Sequence, residues 1–366
     1  MKGALLFIAI FALSMLIIPM IALNHQPVPE QPHALETLVT ILPAPEPDAY
    51  DGPLLMSPPA RPVEIETEPG TFPLSSIPGV TVFRILDEST GDIHIVPVRD
   101  FVIGAVAAEM PASFHTQALK AQAVAAHTFA LHQHMAQQRS PNPALRGADF
   151  SADPSNRWGF VDEPTARAIF GYREDEYWAK ISDAVDGVLH LILKFDGEPI
   201  VAAYHAMSAG KTEYASNVWA GSAPYLIPAD SEGDLLAPGF ETRETLGEQY
   251  LQSAFHAQHP DIVFGGDPST WLEVLERSSS GYVTSIRVGD TVLRGIDVRR
   301  ALGLRSHHFE IEHRDAAFTF TVLGYGHGVG LSQRGADFMA RQGASFEEIL
   351  ANYYTGVRLY RIGFGD

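Results

Sequence analysis

A carboxyl group closes the run Gly104-Ala105-Val106-Ala107-Ala108-Glu109-Met110-Pro111. The small residues favour a helix and Pro111 blocks its simple continuation, so Glu109 stands at a helix end with no basic neighbour in sequence. Partial burial there would raise its pKa and favour the protonated form that a general acid needs. An ordinary surface acid would look the same in sequence. A role in stability is the weaker explanation, because a negative charge near a helix C-terminus is electrostatically unfavourable.

Three further segments carry polar groups in patterns that could serve a site. Lys120, His127 and His134 recur at intervals of seven along an alanine-rich stretch, so they share one helix stripe. Such a stripe lines a cleft or forms the helix's solvated face. Tyr204 to Glu213 reads YHAMSAGKTE, a strand running into a small-residue turn with Ser208, Lys211, Thr212 and Glu213. The turn offers hydroxyls and amides to a polar ligand, or is a plain hairpin loop. His205 has no second histidine at metal-ligand spacing. Gly324 to Ala336 alternates four glycines around His327 before a helix that should start at Ser332. Glycine at that density marks close backbone approach or unusual dihedrals. The order G-x-G-x-G-x-G is not a dinucleotide fingerprint. His327 could touch a substrate or brace the loop.

The elements that must position these groups read as a mixture. A hairpin is expected over Val80–Val82 and Ile93–Ile95, around the turn-rich 88–92. Asp100 is a plausible N-cap for a helix over 101–108, and a longer helix follows over 115–138. The segment 140–178 reads as irregular. Strands are expected at 181–188, 189–195 and 199–204, with Asp196-Gly197 as a hairpin turn between the last two. A helical or looped section covers 232–260, strands resume at 281–293 and 316–323, and a last helix runs over 332–342. Strands and helices without regular alternation indicate an α+β fold.

Composition sets the context. The chain has 366 residues, 46% of them apolar, so a sizeable core is available. Its formal charge is −19, which argues against nucleic-acid partners, since these require a basic face. Cysteine is absent, which removes disulfides, thiol nucleophiles and cysteine-ligated zinc. Residues 3–23 hold no charge and are long enough to span a ~30 Å hydrocarbon core. Lys2 before them predicts a cytoplasmic N-terminus, and the lack of a small-x-small site favours an uncleaved anchor over a signal peptide. Residues 24–78 carry 13 prolines and eight acids against one arginine, Arg61, and read as a disordered, semi-stiff stalk. The expected order is therefore a transmembrane anchor at 1–23, a linker at 24–78 and one enzyme-sized domain at 79–366.

Taken together, the segments VIGAVAAEMPASFHTQALKAQAVAAHTFAL (102–131), AYHAMSAGKTEYASNVWAGSAPYL (203–226), LRGIDVRRALGLRSHHFEI (293–311) and GYGHGVGLSQRGADFMARQGASFEEILANYYTGV (324–357) resemble the stage II sporulation protein D (SpoIID) family. That family comprises membrane-anchored lytic transglycosylases of spore-forming bacteria, and its domain also occurs in amidase enhancers of the cell wall. This chain departs from the family pattern at three places. His127 stands where the long helix usually has arginine, so a fixed cation becomes a titratable one. Ala209-Gly210 replaces a usual pair of glycines. Residues 151–160 lack the Cys and His zinc ligands of some relatives, so no metal or other cofactor is carried over.

The resemblance implies that Glu109 is the catalytic acid, and that Lys120, His127, Tyr204, Ser208 and His327 hold sugar hydroxyls and acidic groups of the substrate. It implies cleavage between MurNAc and GlcNAc in peptidoglycan glycan strands already stripped of stem peptides. It also implies a partner cell-wall amidase, other engulfment membrane proteins as partners, and septal wall thinning during engulfment at the cell membrane. Two other classes stay open on the residues themselves: a binding module that stimulates an amidase without catalysis, and a metal-dependent amidase, which the lack of a ligand cluster disfavours.

Overall fold

The structure is a computed structural model that describes residues 72–75, 79–154, 159–219, 221 and 223–363. The expected anchor, and the stalk up to residue 71, lie outside the described residues. Among the described residues no helix is long and apolar enough to cross a membrane.

In chain order, the hairpin β1 (Val82–Asp87) and β2 (Ile93–Pro97) leads into α1 (Val98–Glu109) and α2 (Thr116–Arg139). Next come β3 (Phe150–Ala152), α3 (Glu163–Phe170), α4 (Glu174–Asp186), β4 (Leu191–Phe195), β5 (Glu198–Pro199), β6 (Tyr204–His205) and α5 (Ala215–Val218). A long excursion follows: β7 (Glu241–Gly247), α6 (Glu248–Gln258), β8 (Leu272–Arg277), β9 (Val283–Val288), β10 (Thr291–Leu293), α7 (Gly295–Leu302), β11 (Phe309–Arg314) and β12 (Ala317–Leu323). The chain then returns through β13 (Leu331–Ser332), α8 (Gln333–Arg341), α9 (Phe346–Tyr353) and β14 (Arg358–Arg361). The class is α+β, as expected, with small sheets ordered β2-β1-β3, β14-β4-β5, β10-β9-β8 and β11-β12-β7, and a β13-β6 pair.

The helix α1 is buried on every side from Phe101 to Glu109, which makes it the centre of its layer rather than an amphipathic cover. Close packing sets its sequence: a Cβ on Gly104 would lie 2.1 Å from the Val161 carbonyl oxygen and 2.5 Å from the Phe160 ring. The alanines of α2 let it lie against α1, α4 and α8 at once. Thr128 Oγ1 donates to the Val124 carbonyl (2.7 Å) and accepts from the Leu193 amide (3.0 Å), which ties α2 to β4. The excursion has its own core, in which Phe255, Ile286, Val298, Phe309, Phe318 and Phe320 are all essentially inaccessible.

Several expected boundaries move. Residues 181–188 are not a strand: Ile181, Ala184, Val185 and Val188 are buried at helical spacing, and 181–186 end α4. Their β-branched side chains suggested a strand, and packing against α1 and α2 overrode that preference. The first helix starts at Val98, with Pro97 rather than Asp100 at its N-cap. Asp100 lies in its first turn, where its charge meets the positive end of the helix dipole. The segment 140–178 holds β3 and α3. The elements β7, β8 and β11 were not legible as strands, because their outward faces are lined by charges. Asp196-Gly197 does join β4 to β5, with both residues at positive φ (48° and 86°).

Candidate active site

Glu109 is the last residue of α1 and is 7% exposed. The chain turns there because Met110 is extended, its amide reaching back to the Val106 carbonyl (2.9 Å), and Pro111 follows. The first residue of α8 comes in from the far end of the sequence: Gln333 Nε2 donates to Glu109 Oε2 at 3.4 Å. Tyr204 on β6 shares this neighbourhood. Burial first, and the Glu109 charge second, hold its phenol well above the usual tyrosine range. Tyr204 therefore stays a neutral hydroxyl next to the carboxyl.

A parallel pairing of very short strands brings these groups together. Leu331 is opposite Tyr204 and Ser332 opposite His205, so the chain segments on either side of the excursion lie side by side. Further bridges, Met207 to Tyr325 and Glu213 to Val329, extend the contact. The glycine alternation is what permits it. Gly324, Gly326, Gly328 and Gly330 all have positive φ, and a Cβ on Gly330 would sit 2.1 Å from the Ala203 carbonyl oxygen.

One acid unread in the sequence fastens this arrangement. Asp234, in the short 3-10 helix at Glu232–Leu236, accepts from the Ser208 amide (2.7 Å) and hydroxyl (2.6 Å) through Oδ2. Its Oδ1 accepts from the Ser332 hydroxyl (2.7 Å), while Ser332 caps α8 by accepting from the Gly335 amide (3.3 Å). Burial pushes the Asp234 carboxyl up to about 6 against the pull of these hydrogen bonds. Asp234 thus pins the 208 turn to the start of α8, one residue before Gln333. No spacing or motif around Ser231-Glu232-Gly233-Asp234 signals this role, because its partners are 26 and 98 residues away.

The structure sorts the remaining sequence candidates. His327 is buried, and both ring nitrogens engage backbone: the Val329 amide donates to Nδ1 (3.0 Å), so Nε2 carries the proton and donates to the Tyr204 carbonyl (3.0 Å). Burial, with His205 and Arg299 nearby, holds the ring well below the usual histidine range. His327 here fixes the strand that carries Tyr204. Ser208 is fully buried on Asp234. Lys120 lies elsewhere, near Gly187 and 6.0 Å from the Phe346 ring centroid. His127 is 1% exposed, and burial lowers its pKa to about 4 against a hydrogen bond involving the Leu189 backbone. The third member of that stripe, His134, binds Asp149 (2.8 Å). Packing buries the middle of the stripe at His127, while Lys120 and His134 stay partly accessible. Glu109, Tyr204 and Gln333 meet; Ser208 and His327 support them from behind; Lys120 and His127 have their contacts in other places. Gln333 and its neighbour Arg334 were readable only as the start of a helix. Among the described residues no group of three or more His, Asp or Glu side chains is arranged to hold a metal ion.

The chain is similar to known proteins over the same region. The family described as Stage II sporulation protein matches residues 87–195. Stage II sporulation protein D of Bacillus amyloliquefaciens is 34% identical over 278 residues, covering 76% of this chain and 77% of the relative. Stage II sporulation protein D of Bacillus subtilis (strain 168) is 31% identical over 280 residues, covering 76% and 78%. The amidase enhancer of Bacillus subtilis is 25% identical over 308 residues, covering 70% of this chain and 40% of that protein. With that identity sustained across three quarters of both chains, and with the glycine alternation and the Glu109 helix end built into one fold, this chain belongs to the stage II sporulation protein D family.

Proposed function

We propose that this protein is a lytic transglycosylase of peptidoglycan, with Glu109 as its single catalytic acid and base. The observation that carries the reading is the distribution of buried carboxyls. Asp87, Asp149, Glu213 and Asp234 each accept a hydrogen bond from a backbone amide and so brace the chain itself. Glu109 instead sits at a helix end where Tyr204 and Gln333, from two distant segments, converge on it. Glycoside hydrolysis by the usual routes employs two carboxyls. A transglycosylase needs one. Protonated Glu109 gives its proton to the glycosidic oxygen between MurNAc and GlcNAc as the C1–O bond breaks. The resulting carboxylate takes the proton of the C6 hydroxyl of the same MurNAc as that oxygen closes on C1. The products are a 1,6-anhydro-MurNAc end and a GlcNAc end with its hydroxyl restored; Glu109 is protonated again and no water is consumed. The intramolecular attack draws on a high effective molarity. Tyr204 and Gln333 supply neutral hydrogen-bonding groups beside the carboxyl.

The substrate in this reading is glycan already stripped of stem peptides by a partner cell-wall amidase. Residues 3–23 would hold the domain at the outer face of the cell membrane, together with other membrane proteins of engulfment. The amidase-enhancer relative favours a second reading, in which the domain binds wall polymer and stimulates an amidase without catalysis. Mass spectrometry of peptide-stripped glycan strands incubated with the protein separates the two. Anhydro-muramoyl ends that disappear with Glu109→Gln support the lyase. Reducing ends would require hydrolysis, and intact strands would leave the enhancer.

A further inference from the structure

The chain as a whole is strongly acidic, with a formal charge of −19, and peptide-stripped glycan is itself a polyanion, with one lactyl carboxylate on each muramoyl unit. Two such polymers repel unless cations are placed locally where the strand must lie. The neighbourhood of Glu109 has them. Arg334 follows Gln333 in the first turn of α8, and its amide is anchored to the Ala206 carbonyl (3.0 Å). Its guanidinium lies over the Phe114 ring, 5.0 Å from the centroid, and Phe114 belongs to the loop that leaves Glu109. The carbonyl of Phe114 in turn accepts from Lys180 Nζ (2.6 Å).

The nearby acids are otherwise engaged. Asp337 accepts from the His115 amide (2.6 Å) and pairs with Arg341 (2.8 Å), and Asp234 is occupied by Ser208 and Ser332. Among the described residues the Arg334 side chain has no hydrogen-bond or ion-pair acceptor. A guanidinium held over an aromatic ring with no acceptor of its own keeps its N–H donors for a ligand, and a carboxylate matches that fork.

We propose that Arg334 is a specificity-determining residue, which grips the free lactyl carboxylate of a muramoyl unit whose stem peptide has been removed. The assignment rests on the glycan-cleaving reading above. An amide-linked stem peptide abolishes the carboxylate at that position, so Arg334 makes the site prefer stripped strands.

The test uses the purified full chain in a Glu109→Gln background, which stops turnover and leaves binding measurable. Two probes are compared by calorimetry: peptide-stripped glycan oligomers, and the same oligomers with their lactyl carboxylates converted to methylamides. A hydrogen-bonded charge pair predicts binding about tenfold or more tighter to the carboxylate form. Arg334→Gln should bring the ratio of the two dissociation constants close to one. Arg334→Lys, which keeps the charge and loses the fork, should give an intermediate ratio and shows that the fold is retained. An unchanged ratio in Arg334→Gln, or equal binding of both probes by the Arg334 protein, overturns the proposal. Loss of binding to both probes at every stage overturns the glycan reading and this assignment together. A carboxylate preference that depends on Arg334, without anhydro ends from the Glu109 protein, keeps the assignment and removes the lyase.

Discussion

Replacing Asp234 by asparagine and by alanine separates the two things this residue does. Three donors converge on its carboxyl: the Ser208 amide, the Ser208 hydroxyl and the Ser332 hydroxyl. Asparagine can turn its carbonyl to Ser208, where the backbone donor cannot reverse, and offer its amide to Ser332, whose hydroxyl can rotate to accept. It also removes a buried charge. Burial raises the carboxyl from 3.8 to about 6, and a shift of that size corresponds to about 3 kcal/mol, to order of magnitude. The folded pKa lies above the unfolded one, so the protonated group favours the folded state. That contribution is complete below pH 4 and is lost as pH rises through about 6. Above pH 6, Asp234→Asn should therefore be as stable as the parent or more so. Asp234→Ala leaves three donors without their acceptor and should fall about 3 kcal/mol below the asparagine variant, at roughly 1 kcal/mol for each bond. Urea unfolding of the purified chain between pH 4 and pH 8 measures both effects, and the parent-minus-asparagine difference isolates Asp234 from other titrating groups. Equal losses from Asn and Ala above pH 6, or a pH-independent difference between parent and Asn, would refute this reasoning.

Glu109→Gln should lower glycan cleavage by about 10²–10⁴-fold with little change in Tm, read by product mass spectrometry and thermal melting. His127, His205, His307 and His327 are all held neutral by burial, so the folded state resists protonation that the unfolded chain accepts below pH 6.5. Each makes stability fall with acid by up to ~1.4 kcal/mol per pH unit in that window, and His127→Gln should lessen the slope of urea stability between pH 6.5 and its folded value near 4. Over the neutral range His127 stays uncharged, so its replacement should leave the pH profile of glycan binding above pH 6 unmoved. His327→Phe leaves the Tyr204 carbonyl and the Val329 amide unpaired, so it should cost about 2–4 kcal/mol in unfolding experiments and reduce activity through β6. Gly330→Ala would drive a Cβ into the Ala203 carbonyl at positive φ, and should abolish soluble folded protein or cost several kcal/mol.

Local signals were sufficient for much of this molecule. The run of small residues before Glu109, the alanine-rich α2 from Thr116 to Arg139 and the Asp196-Gly197 turn are properties of a few consecutive residues, and all are where their sequences put them. Even α9 was legible in principle, since Ser345 and Glu348 form a capping box that marks its start. The four alternating glycines announced a backbone under unusual constraint before any neighbour was known. Other features depend on partners that sequence order cannot supply. Ile181 to Asp186 belong to a helix because α1 and α2 bury one of its faces. Lys120, His127 and His134 share a stripe by helical geometry, but packing alone decided that its middle member, His127, is buried while His134 pairs with Asp149. His327 was legible as important, while its task was fixed by the Tyr204 carbonyl, 123 residues away. Asp234 and Gln333 acquire their roles only when β6 and β13 pair, because that pairing places the start of α8 against the end of α1. A sequence determines its helices through contacts a few residues apart; the site around Glu109 is made of contacts as much as 224 residues apart, and only the folded chain brings those within hydrogen-bond reach.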